Sequence, residues 1–333
     1  MSKVLVTGGA GYIGSHVVRQ LGEAGYEVVV YDNCSTGVPG AVLYGELAIG
    51  DLADTECLYR TFARHGFEAV LHFAASTVVP ESVAHPLDYY ANNTRNTLNL
   101  LRCCQVFGVD KFVFSSTAAV YGEPQTNPVW ESAPMMPINP YGRSKLMSEW
   151  MIRDYGAASG LRYVILRYFN VAGADPAGRI GQFSPQATHL IKVACEAALG
   201  RRDSVSIFGT DFPTPDGTGI RDYIHVEDLA AAHELALRYL AAGGNSQVLN
   251  CGYGRGYSVR EVLDCVKAFS GVDFPIVEAD RRKGDPACVV AGAKLIREVL
   301  GWMPKYEDLG AIVETALAWD KKLAKERARA SGC

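Results

Sequence analysis

The sequence predicts an α/β protein built on a doubly wound parallel sheet, followed by a smaller, loop-rich C-terminal domain. Two observations carry this prediction. Apolar runs typical of buried strands alternate with helix-like segments over the first half of the chain, which favours a parallel sheet covered on both faces. A cluster of glycines also separates the first apolar run from the first helix-like segment, and this arrangement is typical of a strand-turn-helix unit.

The glycine cluster follows the run Val4-Leu5-Val6 and reads Gly8-Gly9-Ala10-Gly11-Tyr12-Ile13-Gly14. In such a turn Gly8 allows a sharp reversal, Gly11 a close approach of the backbone to a pyrophosphate, and Gly14 close packing of the helix on the strand. The first amides of the helix would face the anion. The spacing therefore predicts a phosphate-binding turn of the Rossmann type, with a glycine turn that holds no ligand as the alternative.

An acidic residue follows the second apolar run. Asp32 comes directly after the run 27–31 and lies eighteen residues beyond Gly14. A carboxylate there can accept hydrogen bonds from both hydroxyls of an adenosine ribose and would repel a 2′-phosphate. The sequence therefore predicts NAD, rather than NADP, as the cofactor, and we include the neighbouring Asn33 in the predicted cofactor site.

Further strand-like runs and helix-like segments continue the alternation. The strand-like runs end at Phe73, Ser115 and Tyr168. The helix-like segments cover about 55–64, 87–107 and 141–158.

After residue 169 the pattern changes, because glycine, proline and aspartate gather in 173–181 and 210–219. Long loops in a compact fold are more often functional than idle. We therefore predict a cofactor-binding domain over 1–169 and a substrate-binding domain over 170–333, with the segment 222–251 returning to the first sheet.

Composition and charge indicate a cytoplasmic protein with a large core. The 333 residues are 48% hydrophobic and 20% charged, and a net charge of -4 gives no electrostatic reason to expect nucleic acid or a membrane as partner. The nine cysteines include no Cys-x-x-Cys pair, which favours reduced thiols. The first strand begins at about residue 3, which leaves no room for a signal peptide, and no apolar run is long enough to span a bilayer. The charged, alanine-rich end 321–333 predicts a fraying helix or a disordered tail.

A tyrosine and a lysine lie four residues apart in Pro140-Tyr141-Gly142-Arg143-Ser144-Lys145, so on a helix they share one face. A free tyrosine has a pKa of about 10 and is almost wholly neutral at pH 7. Positive charge on Lys145 and on a bound nicotinamide favours the phenolate. Tyr141 is therefore a candidate general base, although such a pair alone is more often part of a solvated helix face.

Hydroxyl residues upstream of Tyr141 and Lys145 support a catalytic role for that pair. The run ending Phe114-Ser115 continues into Ser116-Thr117-Ala118-Ala119-Val120-Tyr121-Gly122. Thr117 thus lies at the carboxyl end of a predicted central strand, where open α/β sheets bind ligands. Together with the N-terminal glycines, the combination resembles the extended short-chain dehydrogenase/reductase family. The resemblance implies that Thr117 hydrogen-bonds the reacting hydroxyl, that Tyr141 moves its proton, and that Lys145 holds the ribose and lowers the tyrosine pKa.

The same resemblance implies further contacts to the cofactor. They are an adenine contact at Asp51 and Leu52, a backbone turn at Phe73-Ala74-Ala75, the helix residue Asn93 near the active site, and Tyr168.

Downstream motifs narrow the resemblance to the UDP-galactose 4-epimerases. These motifs are Arg167-Tyr168-Phe169-Asn170-Val171-Ala172-Gly173-Ala174, Gly200-Arg201-Arg202-Asp203, Ile207-Phe208-Gly209 and the run 216–226. The likeness covers residues 2 to about 320. It implies a UDP-sugar as substrate and epimerisation at C4 through a 4-keto sugar, on UDP-glucose and UDP-galactose or also on their N-acetyl forms.

The resemblance also implies the residues that hold this substrate. Asn170 and Arg221 contact the diphosphate, and Phe208 lies near the uracil. Arg282 and Asp285 hold the phosphate and the nucleotide ribose. The predicted substrate site is completed by His189, Leu190, Tyr223, Thr117 and Cys288. Two arginines suit a pyrophosphate because the guanidinium presents forked donors.

Three positions depart from the family pattern. Thr117 stands where many members have serine, and it keeps the hydroxyl. Thr77 stands in place of a lysine, which removes one expected contact to the cofactor phosphates. Cys288 occupies the position beside the sugar where the family has either a bulky tyrosine or a small residue. A small residue leaves room for a 2-acetamido group, and a packing role for Cys288 is the alternative.

Two other functions are weighed against this one. A nucleotide-sugar 4,6-dehydratase shares the fold and the first oxidation, but it needs an acid beside the threonine, where this chain has Ala118 and Ala119. A non-enzymatic NAD-binding sensor is expected to have lost at least one of the three catalytic residues, and all three are present.

The resemblance implies a homodimer, and the histidines indicate no metal. In the family the helices at 87–107 and 141–158 pair across a two-fold axis into a four-helix bundle. The candidate apolar contacts are Leu98, Leu101, Met147 and Trp150. The histidines His72, His225 and His233 show no metal-ligand spacing, so they are interpreted as packing residues or as residues that support the site from behind its contacting side chains.

Overall fold

The computed structural model describes residues 2–183, 188–282 and 285–331, with side chains in the last helix described as far as Arg327. The strands are β1 Lys3–Thr7, β2 Glu27–Asp32, β3 Glu46–Ile49, β4 Ala69–His72, β5 Lys111–Thr117, β6 Arg162–Tyr168, β7 Asn170–Ala172, β8 Val205–Phe208, β9 Ile220–His225, β10 Gln247–Cys251, β11 Gly256–Ser258, β12 Ile276–Ala279 and β13 Cys288–Val289. The helices are α1 Tyr12–Glu23, α2 Thr55–His65, α3 Val79–Ala84, α4 Pro86–Tyr89, α5 Asn96–Phe107, α6 Pro140–Ser159, α7 Leu190–Ala198, α8 Val226–Ala241, α9 Val259–Ser270, α10 Lys294–Leu300 and α11 Leu309–Ser331.

A seven-stranded parallel sheet forms the main layer of the molecule. Its strand order is β3-β2-β1-β4-β5-β6-β10. The order reverses between β1 and β4, and ligands of such sheets bind at the carboxyl ends of the strands beside that reversal. The predicted doubly wound α/β fold is confirmed.

Helices cover both faces of this sheet because successive strand residues point to opposite sides. Val4 and Val6 belong to a core that includes residues of α1, α8 and α10. Leu5, between them, belongs to the core of α2, α5 and α6. Apolar residues on both faces are what a buried parallel sheet requires.

The later part of the chain forms shorter strands around a third core. β9 pairs antiparallel with β11 and parallel with both β7 and β13, while β8 and β12 form a separate parallel pair. Helices α7, α9 and α11 bury their apolar residues against these strands. β10 lies beside β6 in the main sheet, so the chain crosses from the smaller unit back to the larger one.

Three elements differ from the sequence prediction. The segment 87–107 is helical as predicted, but a π-helical turn, Tyr90–Arg95, interrupts its α-helical hydrogen bonding between α4 and α5. The edge strand β3 was not predicted; its four residues are exposed or half-buried, unlike those of the inner strands, because it pairs on one side only. The end of the chain is helical through Ser331, and residues 332 and 333 lie outside the described residues. In the described ranges, no helix has the length and apolar character that crossing a membrane requires.

Candidate active site

The glycine turn between β1 and α1 leaves helix amides open to an anion. Gly8 has a φ of +72°, and a Cβ there would lie 2.5 Å from the backbone nitrogen of Ala74, so only glycine fits. Gly11 caps α1 without a side-chain hydrogen bond. The amides of the first helical turn, including those of Tyr12 and Ile13, are therefore available to a phosphate.

Close packing surrounds this turn on the helix side. A Cβ on Gly14 would lie 2.2 Å from the carbonyl oxygen of Gly8, so the helix can approach the turn only because Gly14 has no side chain. The Tyr12 hydroxyl donates to the carbonyl of Gly173 at 2.6 Å, which joins α1 to the loop after β7.

Asp32 is fixed at the end of β2. Its Oδ2 accepts from the amide of Ala10 at 2.9 Å, and its Oδ1 accepts from the amide of Cys34 at 2.8 Å. Each carboxylate oxygen keeps a lone pair for a ribose hydroxyl. The structure therefore orients this carboxylate without satisfying it fully.

The other predicted adenosine contacts lie beside Asp32. The side-chain amide of Asn33 donates to Oδ2 of Asp51 at 2.7 Å, and the amide of Ala53 donates to Oδ1 at 2.7 Å. Leu52 is buried, and its carbonyl accepts from Asn99 at 3.0 Å. The structure thus brings the predicted residues after β2 and β3 together.

Asn93 holds the turn Phe73-Ala74-Ala75 and the residue that follows it. Its Nδ2 donates to the carbonyl of Ser76 and to Oγ of Ser144, both at 3.0 Å, and its Oδ1 accepts from the amide of Ser76 at 2.8 Å. Both amide hydrogens are used inside the protein. Asn93 therefore ties the turn after β4 to α6 and presents no free donor.

Thr117, Tyr141 and Lys145 meet where β5 ends and α6 begins. The side chain of Asn139 caps α6 by accepting from the amide of Gly142 at 2.8 Å, and proline follows at the first helical position, so the helix starts directly before Tyr141. The Thr117 hydroxyl lies beside the Tyr141 phenol and favours its ionised form. The three residues are 8%, 7% and 3% exposed, respectively.

Burial controls the charge states of these groups. It raises the pKa of Tyr141 to about 12, against the opposing effect of Thr117. It lowers the pKa of Lys145 to about 7, against the opposing charge of Glu149. The protein by itself therefore keeps the phenol protonated, because burial outweighs the opposing effect of Thr117. Additional positive charge is needed to favour the phenolate.

A buried ion pair lies behind the three residues, and sequence reasoning missed it. Nη2 of Arg167 lies 2.6 Å from Oε2 of Glu149, and Oγ of Ser116 donates to Oε1 at 2.5 Å. Glu149 follows Lys145 by one helical turn, and Ser116 directly precedes Thr117. The four-residue spacing from Lys145 to Glu149 is a signal that could have placed Glu149 near the site, although it does not identify Arg167 as the partner.

Tyr168 closes the same edge of the sheet. Its hydroxyl and Oγ of Ser115 lie 2.8 Å apart, so neighbouring strands β5 and β6 are joined at their carboxyl ends. Its ring packs edge-on against His233, which also packs against Phe73.

Arg221 provides a cation in the smaller unit that has no carboxylate partner among the described residues. Within the residues that the structure describes, its guanidinium donates one hydrogen bond, from Nη1 to the carbonyl of Ile220 at 2.8 Å. Burial lowers its pKa, and the charge of Asp285 opposes that shift. A half-buried guanidinium without a carboxylate partner is suited to an anionic ligand.

Phe208, Arg282 and Asp285 form a stacked group near this cation. The guanidinium of Arg282 lies 4.8 Å from the centroid of the Phe208 ring, and its Nε donates to Oδ2 of Asp285 at 2.8 Å. Phe208 is 41% exposed. The group exists because β8, which ends at Phe208, pairs with β12, which ends just before the arginine.

The remaining predicted substrate residues surround β9. Cys288 pairs in register with Ile220, directly before the pairing of Val289 with Arg221. On the other part of β9, the buried Tyr223 pairs in register with the exposed Asn170.

His189 and Leu190 lie at the start of α7. Nδ1 of His189 lies 3.0 Å from Nε2 of Gln182, and Leu190 packs against the third core, which includes Tyr223. Among the described residues, neither of these two side chains is hydrogen-bonded to Arg221 or Arg282.

Comparison with known proteins identifies the family. The model of the NAD dependent epimerase/dehydratase family matches residues 4–252. A UDP-glucose 4-epimerase of Azospirillum brasilense is 61% identical, over 96% of this chain and 92% of its own length. The crystal structure of UDP-glucose 4-epimerase from Brucella ovis in complex with NAD is 46% identical with a TM-score of 0.93, over 96% of this chain and 98% of that one.

A third relative differs in its substrates. The UDP-Glc/GlcNAc 4-epimerase from Campylobacter jejuni is 50% identical with a TM-score of 0.85, over 97% of this chain and 100% of that one. The resemblance found in the sequence is confirmed, and the chain belongs to the NAD dependent epimerase/dehydratase family.

Proposed function

We propose that this chain is an isomerase that inverts C4 of a UDP-hexose, with NAD as cofactor, through a 4-keto sugar. The observation that carries the proposal is the meeting of Thr117, Tyr141 and Lys145 at the carboxyl edge of the sheet, beside a turn that leaves helix amides for a pyrophosphate. Relatives named UDP-glucose 4-epimerase, at 46% and 61% identity, support it.

The residues at the glycine turn fit NAD. We assign the amides of the first turn of α1 to the pyrophosphate and the carboxylate of Asp32 to the adenosine ribose. Asp51, with Leu52, borders the adenine. Tyr141 and Lys145 reach the nicotinamide ribose. The turn at Phe73 and the residues Asn93 and Tyr168 shape the cavity around the cofactor.

Bound NAD takes the hydrogen of C4 as hydride and returns it to the opposite face, so the net redox change is zero. Tyr141 accepts the proton of the C4 hydroxyl and later returns it, and Thr117 hydrogen-bonds the same oxygen. Because burial holds the Tyr141 pKa at about 12, the phenol stays protonated until positive charge is added beside it. Lys145 supplies part of that charge once a ligand stabilises its ammonium form.

Inversion needs a firm hold on the diphosphate and a sugar free to turn. We assign the first to Arg221, Arg282 and Asn170, because the Arg221 guanidinium has no carboxylate partner among the described residues. The exposed ring of Phe208 offers a stacking surface to the uracil, and Asp285 orients Arg282. His189, Leu190 and Tyr223 complete this site.

We further propose that Cys288 borders the C2 substituent of the sugar. It pairs in register with Ile220, the residue directly before Arg221, and its side chain is small. A small residue there admits a 2-acetamido group, and a relative at 50% identity is named for both UDP-Glc and GlcNAc. We therefore expect turnover of N-acetylated and plain UDP-hexoses.

A homodimer is also proposed. Trp150 and Met147 leave apolar surface exposed on α6, and α5 packs beside that helix. Leu101 is not part of this surface, because it is 4% exposed and belongs to the second core; Leu98 is half-buried. We expect the dimer mass by light scattering at micromolar concentration, and a monomer mass would contradict the four-helix bundle.

We propose the cytoplasm as the compartment of this protein. The eight cysteines within the described ranges are all free thiols, which suits a reducing environment.

The test of the reaction uses the purified protein and four substrates: UDP-glucose, UDP-galactose and their N-acetyl forms. Anomeric NMR signals should show UDP-glucose and UDP-galactose each converting into its C4 epimer. No cofactor needs to be added, because NAD is expected to copurify. Nucleotide released by heat should be identified as NAD or NADH by chromatography. Formation of a 4-keto-6-deoxy sugar, or no conversion of any substrate by NAD-loaded protein, would contradict the proposal.

A further inference from the structure

A segment that follows the catalytic strand is hydrogen-bonded to the strand that carries Cys288. Nδ2 of Asn127 donates to the carbonyl of Cys288 at 3.0 Å, and the amide of Val290 donates to Oδ1 of Asn127 at 2.9 Å. Two backbone bonds continue the ladder, from the amide of Val129 to the carbonyl of Val290 at 2.8 Å and from the amide of Gly292 to the carbonyl of Val129 at 2.7 Å. The side-chain amide of Asn127 thus makes the donor and acceptor bonds that a backbone peptide group would make in a neighbouring strand.

The segment 288–292 is held from both sides. On one side β13 pairs with β9, which carries Arg221. On the other side it pairs with 127–129, which begins ten residues after Thr117. The distance between the catalytic hydroxyl and Cys288 therefore depends on this second contact.

The two ends of the 127–129 contact differ in strength. Val129 is buried in a core cluster with Val289 and Ala291, so apolar packing secures that end. Asn127 is exposed, and its two side-chain hydrogen bonds secure the end next to Cys288. Removing them would free the backbone at Cys288 while the buried end stays in place.

We infer that Asn127 is a positioning residue for substrate specificity. It holds the backbone of Cys288 and thereby sets how far this side of the pocket lies from the C2 substituent of the sugar. The inference rests on the proposed role of Cys288. Asn127 acts through the strand and not by touching the sugar.

A double-mutant experiment tests this role. The quantity is the ratio of kcat/KM for UDP-N-acetylglucosamine to kcat/KM for UDP-glucose, in which contacts to the shared diphosphate cancel. Cys288→Tyr should lower the ratio by about tenfold to a hundredfold, because a bulky side chain overfills the pocket. Adding Asn127→Ala to Cys288→Tyr should restore the ratio by about tenfold, since two lost hydrogen bonds let the strand yield to the acetamido group.

Two further variants serve as controls. Thr126→Ala alters the neighbouring exposed residue and should leave the ratio unchanged in both backgrounds. Asn127→Asp keeps the side-chain size and the acceptor for the Val290 amide but loses the donor to Cys288, so it should restore the ratio in part. It also replaces the alanine variant if that variant is unstable.

The outcomes separate the two proposals. A lowered ratio in Cys288→Tyr that neither Asn127 variant relieves overturns the role of Asn127 alone. An unchanged ratio in Cys288→Tyr, or a wild-type protein that does not convert UDP-N-acetylglucosamine, overturns the specificity role of Cys288 and that of Asn127 with it. Neither result bears on epimerisation of UDP-glucose.

Discussion

Two arginines show how differently the two halves of the molecule use buried charge. Arg167, in the main sheet, is 2% exposed and paired, with Nη2 2.6 Å from Oε2 of Glu149 and Nη1 3.0 Å from the hydroxyl of Tyr121. Arg221, in the smaller unit, is half-buried and donates to a backbone carbonyl. A paired charge is satisfied within the protein, whereas an unpaired one keeps its desolvation cost until an anion binds. This difference indicates that Arg167 stabilises the fold and that Arg221 binds the ligand.

Lys145, on α6 beside the main sheet, shows that location in this half of the molecule does not decide whether a buried charge is paired. It is nearly as buried as Arg167, yet its charge is met by the face of Phe114 at 4.7 Å and by the more distant Glu149, with no direct ion pair among the described residues. Its lowered pKa is the consequence. Lys145 therefore belongs with Arg221 among the groups prepared for a ligand.

The largest effect is expected on kcat when Tyr141 is replaced, while the affinity for UDP should be nearly unchanged. Tyr141→Phe should lower kcat by about 10²- to 10⁴-fold, because the phenol acts as proton carrier in the transition state. Its affinity for UDP, measured by titration calorimetry, should stay within about twofold, since the cations that hold the diphosphate lie in the other half of the molecule. Near-normal turnover would assign the proton transfer to Thr117 or another group.

Arg167→Met should damage the fold. The substitution leaves the Glu149 carboxylate buried without its partner, which costs about 3 to 5 kcal/mol in the free energy of unfolding. Arg167→Met combined with Glu149→Leu should recover much of that loss, because an apolar pair replaces the ion pair. Urea denaturation measures both. A loss below about 1 kcal/mol in the single variant would mean that the pair does not hold the fold.

Lys145 should make the stability of the cofactor-free protein depend on pH. Its pKa is about 7 in the fold and 10.5 ordinarily, so between these values the unfolded chain binds the extra proton. The free energy of unfolding should therefore rise with pH in that window, by up to about 1.4 kcal/mol per pH unit, and show no such dependence on Lys145 below it. Lys145→Met should remove this rise. Equal slopes from pH 7 to 9 in wild type and variant would contradict the burial of an unpaired lysine.

A smaller effect, on the affinity for UDP, is expected when the Phe208 ring that we assign to the uracil is removed. Phe208→Ala should weaken UDP binding by about tenfold, because it removes a stacking surface and the ring under the Arg282 guanidinium. Phe208→Leu keeps apolar surface without the π-face and should lose less. Calorimetry with UDP gives both values, and kcat should change little. Unchanged affinity in the alanine variant would place the uracil elsewhere.

Local patterns made much of this predictable. Three features depend only on neighbours within a few residues: the glycine turn, the position of Asp32 after its strand, and the start of the helix at Tyr141. The structure has each of them where the sequence predicts it. The π-helical turn did not follow from sequence, since it accommodates contacts of Asn93 with residues 17 and 51 positions away.

Side-chain pairs between residues far apart in sequence could not be predicted, because they form only when distant segments fold together. Arg167 was noticed as part of a motif, but nothing near it in sequence identifies Glu149 as its partner. The pairing of Asn127 with Cys288 spans 161 residues and arises only when the smaller unit folds against the main sheet. Charges can be located from sequence, whereas their pairing, which decides their role, requires the fold.

The most direct test of the contrast is the affinity of Arg221→Met for UDP, measured by calorimetry beside its thermal unfolding. We expect the dissociation constant to rise about a hundredfold, because charge-assisted hydrogen bonds to the diphosphate are lost. The unfolding temperature should stay the same or rise, because a half-buried charge with no carboxylate partner among the described residues has been replaced by an apolar side chain of similar length. Unchanged affinity for UDP, or a loss of stability like that of Arg167→Met, would contradict the assignment of Arg221 to the ligand.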